Sequence, residues 1–181
     1  LRTQKMIKAI VCCAKDFGIG KANGLLFNIP ADMAHFKSET IGKVCVFGYN
    51  TYLSLKHRPL KDRVNVVLWA DAPSIDCLEG AITFSKFDQM LDFIQKLATS
   101  EDVYICGGAS LYASMLPYTQ VIDITFVDAI DPEATAFFPN ISEMPEWQCM
   151  AASPYFKNDG LDCRMAYTNG YSISQQIWNR K

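Results

Sequence analysis

The strongest constraint in this chain is a set of short runs that are apolar at nearly every position instead of at alternate ones. They cover residues 6–14, 43–47, 63–69, 102–106 and 121–128 and are rich in Val, Ile and Cys. A strand with one face in water alternates, whereas a strand this uniformly apolar has to be covered on both faces. Helical stretches lie between the runs: 30–40 with proline in its first turn, 49–55, and 85–98 with Ser85 as its cap. In the last, Phe87, Met90, Leu91, Ile94 and Leu97 recur at amphipathic spacing. A further helix over 108–115 follows a strand directly through a Gly-Gly turn. The last third changes character, with antiparallel strands over 147–156 and 171–178 joined by a loop that contains Asn158-Asp159-Gly160. The implied architecture is a single α/β domain. Its central sheet is mixed but mostly parallel, about eight strands wide, with an antiparallel C-terminal edge and helices on both faces.

Composition narrows the partners. One core can serve 181 residues, half of them apolar, since single cores grow to roughly 250 residues. Residues 6–181 are therefore expected to form one domain. Met6 reads as the natural start, with residues 1–5 as an appended remnant or a disordered terminus. A formal charge of -2 with scattered basic residues gives no footprint for nucleic acid or an anionic membrane, and no apolar run approaches the roughly 20 residues that span a bilayer. A small-molecule partner, a monomer and a cytoplasmic location are expected. The seven cysteines, at 12, 13, 45, 77, 106, 149 and 163, are odd in number and mostly within apolar runs. They are expected to be buried free thiols in a reducing compartment. With no C-x-x-C, and His35 and His57 far from any cysteine pair, no metal is expected.

Ligands on such sheets bind beyond the carboxyl ends of the strands, so the loops after the runs should carry the chemistry. The first reads Gly18-Ile19-Gly20-Lys21-Ala22-Asn23-Gly24-Leu25-Leu26-Phe27-Asn28-Ile29-Pro30-Ala31-Asp32. An acid in the first turn of a helix is commonly a dipole-friendly surface residue. Asp32, however, follows an apolar loop, and Met33 and Phe36 put apolar groups on neighbouring faces of its helix. A carboxylate facing an apolar cleft suits a ligand with paired N–H donors, because both oxygens accept at once.

The Gly-rich loop, Asn28-Ile29-Pro30-Ala31-Asp32 and Phe36-Lys37 resemble the first loop and helix of bacterial dihydrofolate reductases. The likeness continues in order through Gly48 to Thr51, Arg58-Pro59-Leu60 with Arg63, Ile105-Cys106-Gly107-Gly108 with Tyr112, Thr125, Phe138-Pro139 and Trp147. It covers essentially residues 6–178. The C-terminal Tyr-Ser-Ile-Ser-Gln-Gln-Ile-Trp is similar to the last strand of the plasmid-borne, trimethoprim-resistance branch.

That resemblance implies an oxidoreductase of one-carbon metabolism that reduces dihydrofolate to tetrahydrofolate with NADPH, NADH being the alternative. It also implies an antifolate target. Asp32 would accept from the pterin ring N–H and 2-amino groups, with Thr125 fixing the carboxylate, Tyr112 beside the nicotinamide, Phe27 and Leu25 in the catalytic set, and an ordered water as the last proton carrier. Ile10 and Cys106 would offer carbonyls to the pterin, and Cys12 would border both ligands. Phe36 and Leu55 would flank the benzoyl ring with Met33 nearby, while Arg63 takes the glutamate carboxylate and Arg58 assists. The cofactor would lie against Ile19, Gly20, Asn23, Gly24 and Leu25, a loop expected to close as a mobile lid. Gly48, Tyr49, Asn50 and Thr51, then Leu68, Trp69 and Ala70, and the turn of Gly107, Gly108, Ala109, Ser110 and Leu111 would complete its site.

The departures cluster. Relatives of this kind usually carry an arginine at Tyr49, a serine or threonine pair near Trp69 and Ala70, and often an arginine at Ser110. All of these surround the cofactor 2'-phosphate, and Asp71 adds a carboxylate nearby. Phe27 stands for a tryptophan whose N–H can hold water, and Leu26 for a common proline. A cofactor preference relaxed toward NADH is the expectation these changes raise. Two other readings compete: a same-fold reductase of the pyrimidine type, which lacks an acid paired as Asp32 is with Thr125, and a fold-keeping binding protein without catalysis.

Overall fold

The computed structural model describes residues 5–22, 24–73, 77–160 and 162–181, so Asn23 and the first four residues lie outside it. The elements run β1 (Ile7–Ala14), β2 (Gly18–Lys21), β3 (Gly24–Leu25), α1 (Pro30–Thr40), β4 (Val44–Gly48), α2 (Tyr49–Ser54), β5 (Val64–Leu68), β6 (Ala81–Phe84), α3 (Phe87–Leu97), β7 (Val103–Ile105), α4 (Ala109–Met115), β8 (Val121–Val127), β9 (Ala136–Phe137), β10 (Trp147–Ala152) and β11 (Ile173–Arg180). An eight-stranded sheet has the order β10-β11-β8-β1-β7-β4-β5-β6, and a three-stranded sheet the order β3-β2-β9. The mostly parallel α/β sheet with antiparallel C-terminal strands is thus as the apolar runs imply. Two compact units make up the chain, one of residues 1–9 and 40–120, the other of residues 10–39 and 121–181.

In the first unit every strand pair is parallel: Ile7 lies opposite Val103, Val44 opposite both Val103 and Val64, and Val66 opposite Ile82. The runs behind these strands are apolar at nearly every position because both faces are covered, and Val44, Cys45, Val46, Phe47, Val66, Val67, Val103 and Ile105 are all buried; the buried exception, Asn65, donates to the Leu60 and Arg63 carbonyls. Burial of such side chains stabilises the unit by roughly 1.5–3 kcal/mol each. Strand β6 was not foreseen. With Ile82 41% exposed, the outermost strand lacks the continuous apolar signature of its neighbours. The cap of α3 is also corrected: the helix begins one residue after Lys86, in extended backbone, with no side-chain cap, so Ser85 does not hold it. Its apolar stripe does pack as the spacing requires, Met90 and Ile94 being fully buried.

In the second unit β11 pairs antiparallel with β8, Gln175 opposite Thr125, and with β10, where a bulge falls between Cys149 and Ala151. Strand β10 ends at Ala152, four residues short of the expected end: the Ser153 N–H still donates to the Gln175 carbonyl at 2.9 Å, but Pro154 has no N–H to continue the ladder, and Phe156 returns only as a single bridge to Ile173. Within the expected lid loop, residues 18–25, two short strands pair. Gly20 pairs with Leu25 and β9 closes the other side. A Cβ on Gly20 would come within 2.9 Å of the Gly24 carbonyl oxygen, so that glycine permits close pairing as well as freedom. The start of α1 is anchored by the C-terminal loop, since the Ala31 N–H donates to the Tyr167 carbonyl at 2.8 Å and Asn169 Nδ2 to the Asn28 carbonyl at 2.9 Å. Buried Asn158 ties that loop together, its Nδ2 donating to the carbonyls of Asp162, Met165 and Ala166.

Candidate active site

In the second unit the chemistry gathers on three adjacent elements. Proline sets the first turn of α1, and the N–H groups of Asp32 and Met33 both donate to the Ile29 carbonyl, at 3.0 and 3.1 Å. The Asp32 backbone is therefore fixed at the helix start. Ile29 in turn belongs to a buried cluster with Val127 and Ile173, against which Cys12, Phe27, Ala31 and Tyr171 pack.

The Asp32 carboxyl lies above its usual range, chiefly because burial strips it of water. The Thr125 hydroxyl, the His35 charge and the Cys12 thiol pull it down, and Asp123 pushes it up. Thr125 and Asp123 stand two apart on β8 and so share one face of that strand. The threonine oxygen is buried without a completed hydrogen bond among the described residues. The Thr125 hydroxyl nonetheless acts on Asp32, holding the carboxyl down, and a buried oxygen of this kind has capacity for a further hydrogen bond.

His35 was not singled out from the sequence, nor was Asp123. The fold joins them by a hydrogen bond of 2.8 Å from His35 Nε2 to Asp123 Oδ2, across 88 residues of chain. A signal existed: Asp123 is the one charge inside the mostly apolar run Val121–Val127, and a buried carboxylate requires a partner. Phe27, expected near the reacting ring, packs edge-on against Tyr171 at 5.1 Å between centroids. Leu25 and Met33 are exposed, at 69% and 52%, while Phe36 is half-buried on α1.

In the first unit the second group of expected residues meets around glycine. Gly107 has φ +122°, in the region that favours glycine, and its peptide bond to Gly108 is cis. A Cβ on Gly108 would come within 3.0 Å of Thr51 Oγ1, and one on Gly107 within 3.5 Å of both Thr51 and Tyr112. The Gly48 N–H donates to the Gly107 carbonyl at 2.8 Å. The turns before α2 and α4 therefore touch, both without side-chain caps, which leaves an uncluttered backbone surface of the kind phosphate groups approach. Ala109 is half-buried, Ser110 exposed and Leu111 buried behind it.

Beside this turn Tyr49 and Trp69 stack face to face, their centroids 4.3 Å apart and planes 1° from parallel. Asn50, Ala70 and Asp71 are exposed. Arg63 is half-buried with two nitrogens already in use, Nε donating to the Lys61 carbonyl at 2.9 Å and Nη1 to Thr40 Oγ1 at 3.2 Å. Arg58 donates to the Leu53 carbonyl at 2.8 Å, and Leu55 packs on the buried cluster of Cys45, Phe47, Tyr52 and Val67. Cys106 borders that same cluster.

The family model described as dihydrofolate reductase matches residues 6–170. The chain belongs to the dihydrofolate reductase family. It is 36% identical to the dihydrofolate reductase of Neisseria meningitidis over 135 residues, 75% of this chain and 80% of the relative. It is 33% identical to the type 3 dihydrofolate reductase of Salmonella typhimurium over 154 residues, 85% of this chain and 90% of that one. The fold matches a solved Enterococcus faecalis dihydrofolate reductase, complexed with NADP(H) and RAB-propyl, with a TM-score of 0.80 at 24% identity, covering 100% and 99% of the two chains.

Membership makes the expected residues comparable, and their burial separates them. Cysteines 12, 13, 45 and 106 are buried or half-buried, but Cys77, Cys149 and Cys163 are exposed, correcting the expectation for those three: Cys77 and Cys163 lie outside the strands and Cys149 on the exposed end strand β10. Ile10, Ile19, Gly20 and Tyr112 are buried, and Gly24 is exposed. Among the described residues no helix is long and apolar enough to cross a membrane.

Proposed function

We propose that the chain reduces 7,8-dihydrofolate to 5,6,7,8-tetrahydrofolate with NADPH, Asp32 holding the pterin and governing its protonation. The observation that carries this reading is Asp32 itself: a carboxyl in a largely dry setting, raised by desolvation, beside a threonine hydroxyl with bonding capacity to spare. An acid so tuned can keep a proton nearer working pH than an exposed aspartate does. Both its oxygens can accept from the ring N–H and 2-amino groups of a pterin. The reduction needs hydride at one pterin carbon and a proton at the adjacent nitrogen, and the proton travels from the Asp32 side through water. Cys12 and Ile10 on β1 and Phe27, Leu25, Met33 and Phe36 around α1 line the folate, Leu55, Arg58 and Arg63 take its benzoyl-glutamate tail, and Cys106 offers a carbonyl.

NADPH supplies the hydride when bound. The contact between Gly48, Thr51, Gly107 and Gly108 fits its pyrophosphate, since a Cβ on Gly108 would fill the turn. Ala109, Ser110, Leu111 and Tyr112 continue that surface, Asn50 and Leu68 border the stacked pair, and Ile19, Gly20, Asn23 and Gly24 serve the nicotinamide end. Antifolates of suitable shape compete for the Asp32 site, and the enzyme acts as a cytoplasmic monomer, a setting its free thiols suit.

A second reading of the cofactor rests on the Tyr49–Trp69 stack. Two rings lie where relatives hold cations and hydroxyls for a 2'-phosphate, so discrimination between NADPH and NADH is reduced. Consumption of each cofactor with dihydrofolate, followed by absorbance, tests both readings. Turnover that survives Asp32→Asn would overturn the role of Asp32, and a preference for NADPH of the usual strength would overturn the second.

A further inference from the structure

His35 stands three residues after Asp32 on α1, so the two side chains neighbour each other on one face of that helix. The groups that act on the Asp32 carboxyl are Thr125 and Asp123 of β8, Cys12 of β1 and His35, and Asp32 in turn raises the buried Cys13 thiol of β1. His35 is faced by Asp123, by Glu39 one turn further along α1, and by Asp32. A nitrogen and two carboxylate oxygens of His35, Glu39 and Asp123 lie within 4.8 Å of one another, and the imidazole nitrogen is engaged with Asp123 at 2.8 Å. Asp123 keeps only 7% of its side chain exposed and His35 20%. A carboxylate that dry is costly unless it is paired.

Resting on the assignment of Asp32 above, we infer that the His35–Asp123 ion pair is a positioning device for Asp32, keeping an imidazolium on the α1 face beside the catalytic carboxylate. Asp123 favours the charged form of His35: the hydrogen bond to Asp123 is the main cause that raises the imidazole above its ordinary value, against burial, with Glu39 and Asp32 adding to it. The cation so held pulls Asp32 down by more than Asp123 pushes it up, so the pair as a whole opposes part of the desolvation. The pair thereby lowers the pH above which Asp32 gives up its proton, and spares the site the uncompensated charge that Asp123 alone would bring.

The signs make the inference testable. His35→Gln removes the cation and leaves Asp123 unopposed, so Asp32 keeps its proton to higher pH and the alkaline limb of the hydride-transfer profile moves upward, with rates there rising roughly two- to fivefold. Asp123→Asn removes the push and also releases His35 to its neutral form, so its upward shift is smaller. Adding Asp123→Asn to His35→Gln therefore brings the limb partly back, a reversal that a merely structural pair would not produce. An unmoved limb in His35→Gln, or a double variant shifted further than His35→Gln, overturns the inference.

A second measurement protects it against variants that fold poorly. The charge coupling is reciprocal, so Asp32→Asn lowers the midpoint of the His35 ring signal in an NMR titration, read against His57, the other histidine of the chain. No change in that midpoint overturns the coupling. Failure of the Asp32 assignment is separate and visible in the same set, because Asp32→Asn would then keep its turnover.

Discussion

The two units present the residues proposed for ligand binding in opposite ways. In residues 1–9 and 40–120 the proposed site rests on backbone shape, with Gly107 at φ +122° and Gly108 so placed that a Cβ would come 3.0 Å from Thr51 Oγ1, beside an arginine whose Nε and Nη1 are already bonded to the Lys61 carbonyl and Thr40. In residues 10–39 and 121–181 it is built from ionisable side chains whose properties are set by one another, with Asp32, His35 and Asp123 in mutual electrostatic contact. A backbone site is steric and tolerates drift of its side chains, as the Tyr49–Trp69 stack illustrates. An ionisable site tolerates little, because each charge depends on its neighbours.

The sharpest break of this comparison is at Asp32. Asp32→Asn should lower turnover by about 10²–10⁴, the range for losing a positioned acid, with cofactor affinity unchanged in a fluorescence titration. It should also stabilise the fold at neutral pH. The Asp32 carboxyl is raised in the folded protein, so its contribution to stability is present below its ordinary value of 3.8 and lost as pH rises through the folded value. At pH 7 the buried anion opposes folding, and the variant should melt about a few degrees higher there. At pH 3 the gain should vanish, and a gain independent of pH would rule out the charge as its cause.

At the glycine cradle the effect should be confined to the other ligand. Gly108→Ala puts a methyl 3.0 Å from Thr51 Oγ1, and the KM for NADPH should rise about tenfold, a loss near 1.4 kcal/mol, with that for dihydrofolate unchanged. Thr51→Ala in the same background removes the contacted oxygen and should restore part of the loss. Equal damage to both KM values would mean that the glycine cradle does not serve the cofactor alone.

Arg63 should give a smaller effect. Its two internal hydrogen bonds orient the guanidinium before any ligand arrives, which makes it a pre-organised fork for a carboxylate. Arg63→Leu should raise the KM for dihydrofolate about fivefold to tenfold with little change in kcat, and Thr40→Val, which frees only Nη1, about twofold. A fall in kcat equal to the rise in KM would move Arg63 from binding to chemistry.

How much of this was legible follows the same division. The buried strands β1, β4, β5, β7 and β8 announce themselves as continuous apolar runs, and α1 begins at Pro30 and ends at Thr40 as the sequence requires. The exposed β6 and the two-residue β3 and β9 carry no such signal, since their pairing partners, and not their own patterns, make them strands. Gly107-Gly108 and Asp32 could be found from residue type in context. The His35–Asp123 bond could not, because an 88-residue separation leaves only the oddity of a carboxylate inside an apolar strand. Thr125 lay between these cases: its place beside Asp32 was expected, but the incomplete bonding of its hydroxyl depends on strand geometry that composition does not encode.

The smallest expected effect tests whether a backbone site can change its side chains at little cost. Stacked aromatic pairs contribute about 0.5–1.5 kcal/mol beyond the area they bury, and Tyr49 and Trp69 are both half-buried, so Trp69→Ala should weaken NADPH and NADH alike by about threefold. Tyr49→Arg replaces one ring by a fixed cation with donors suited to a phosphate. It should favour NADPH over NADH by a further threefold to fivefold, with dihydrofolate kinetics unmoved, and raised ionic strength should erase most of that gain because the position is only partly buried. Equal affinities for the two cofactors in Tyr49→Arg would mean that the stack does not adjoin the 2'-position, and the relaxed preference would then need another cause, of which the exposed Asp71 carboxylate is the nearest in the chain.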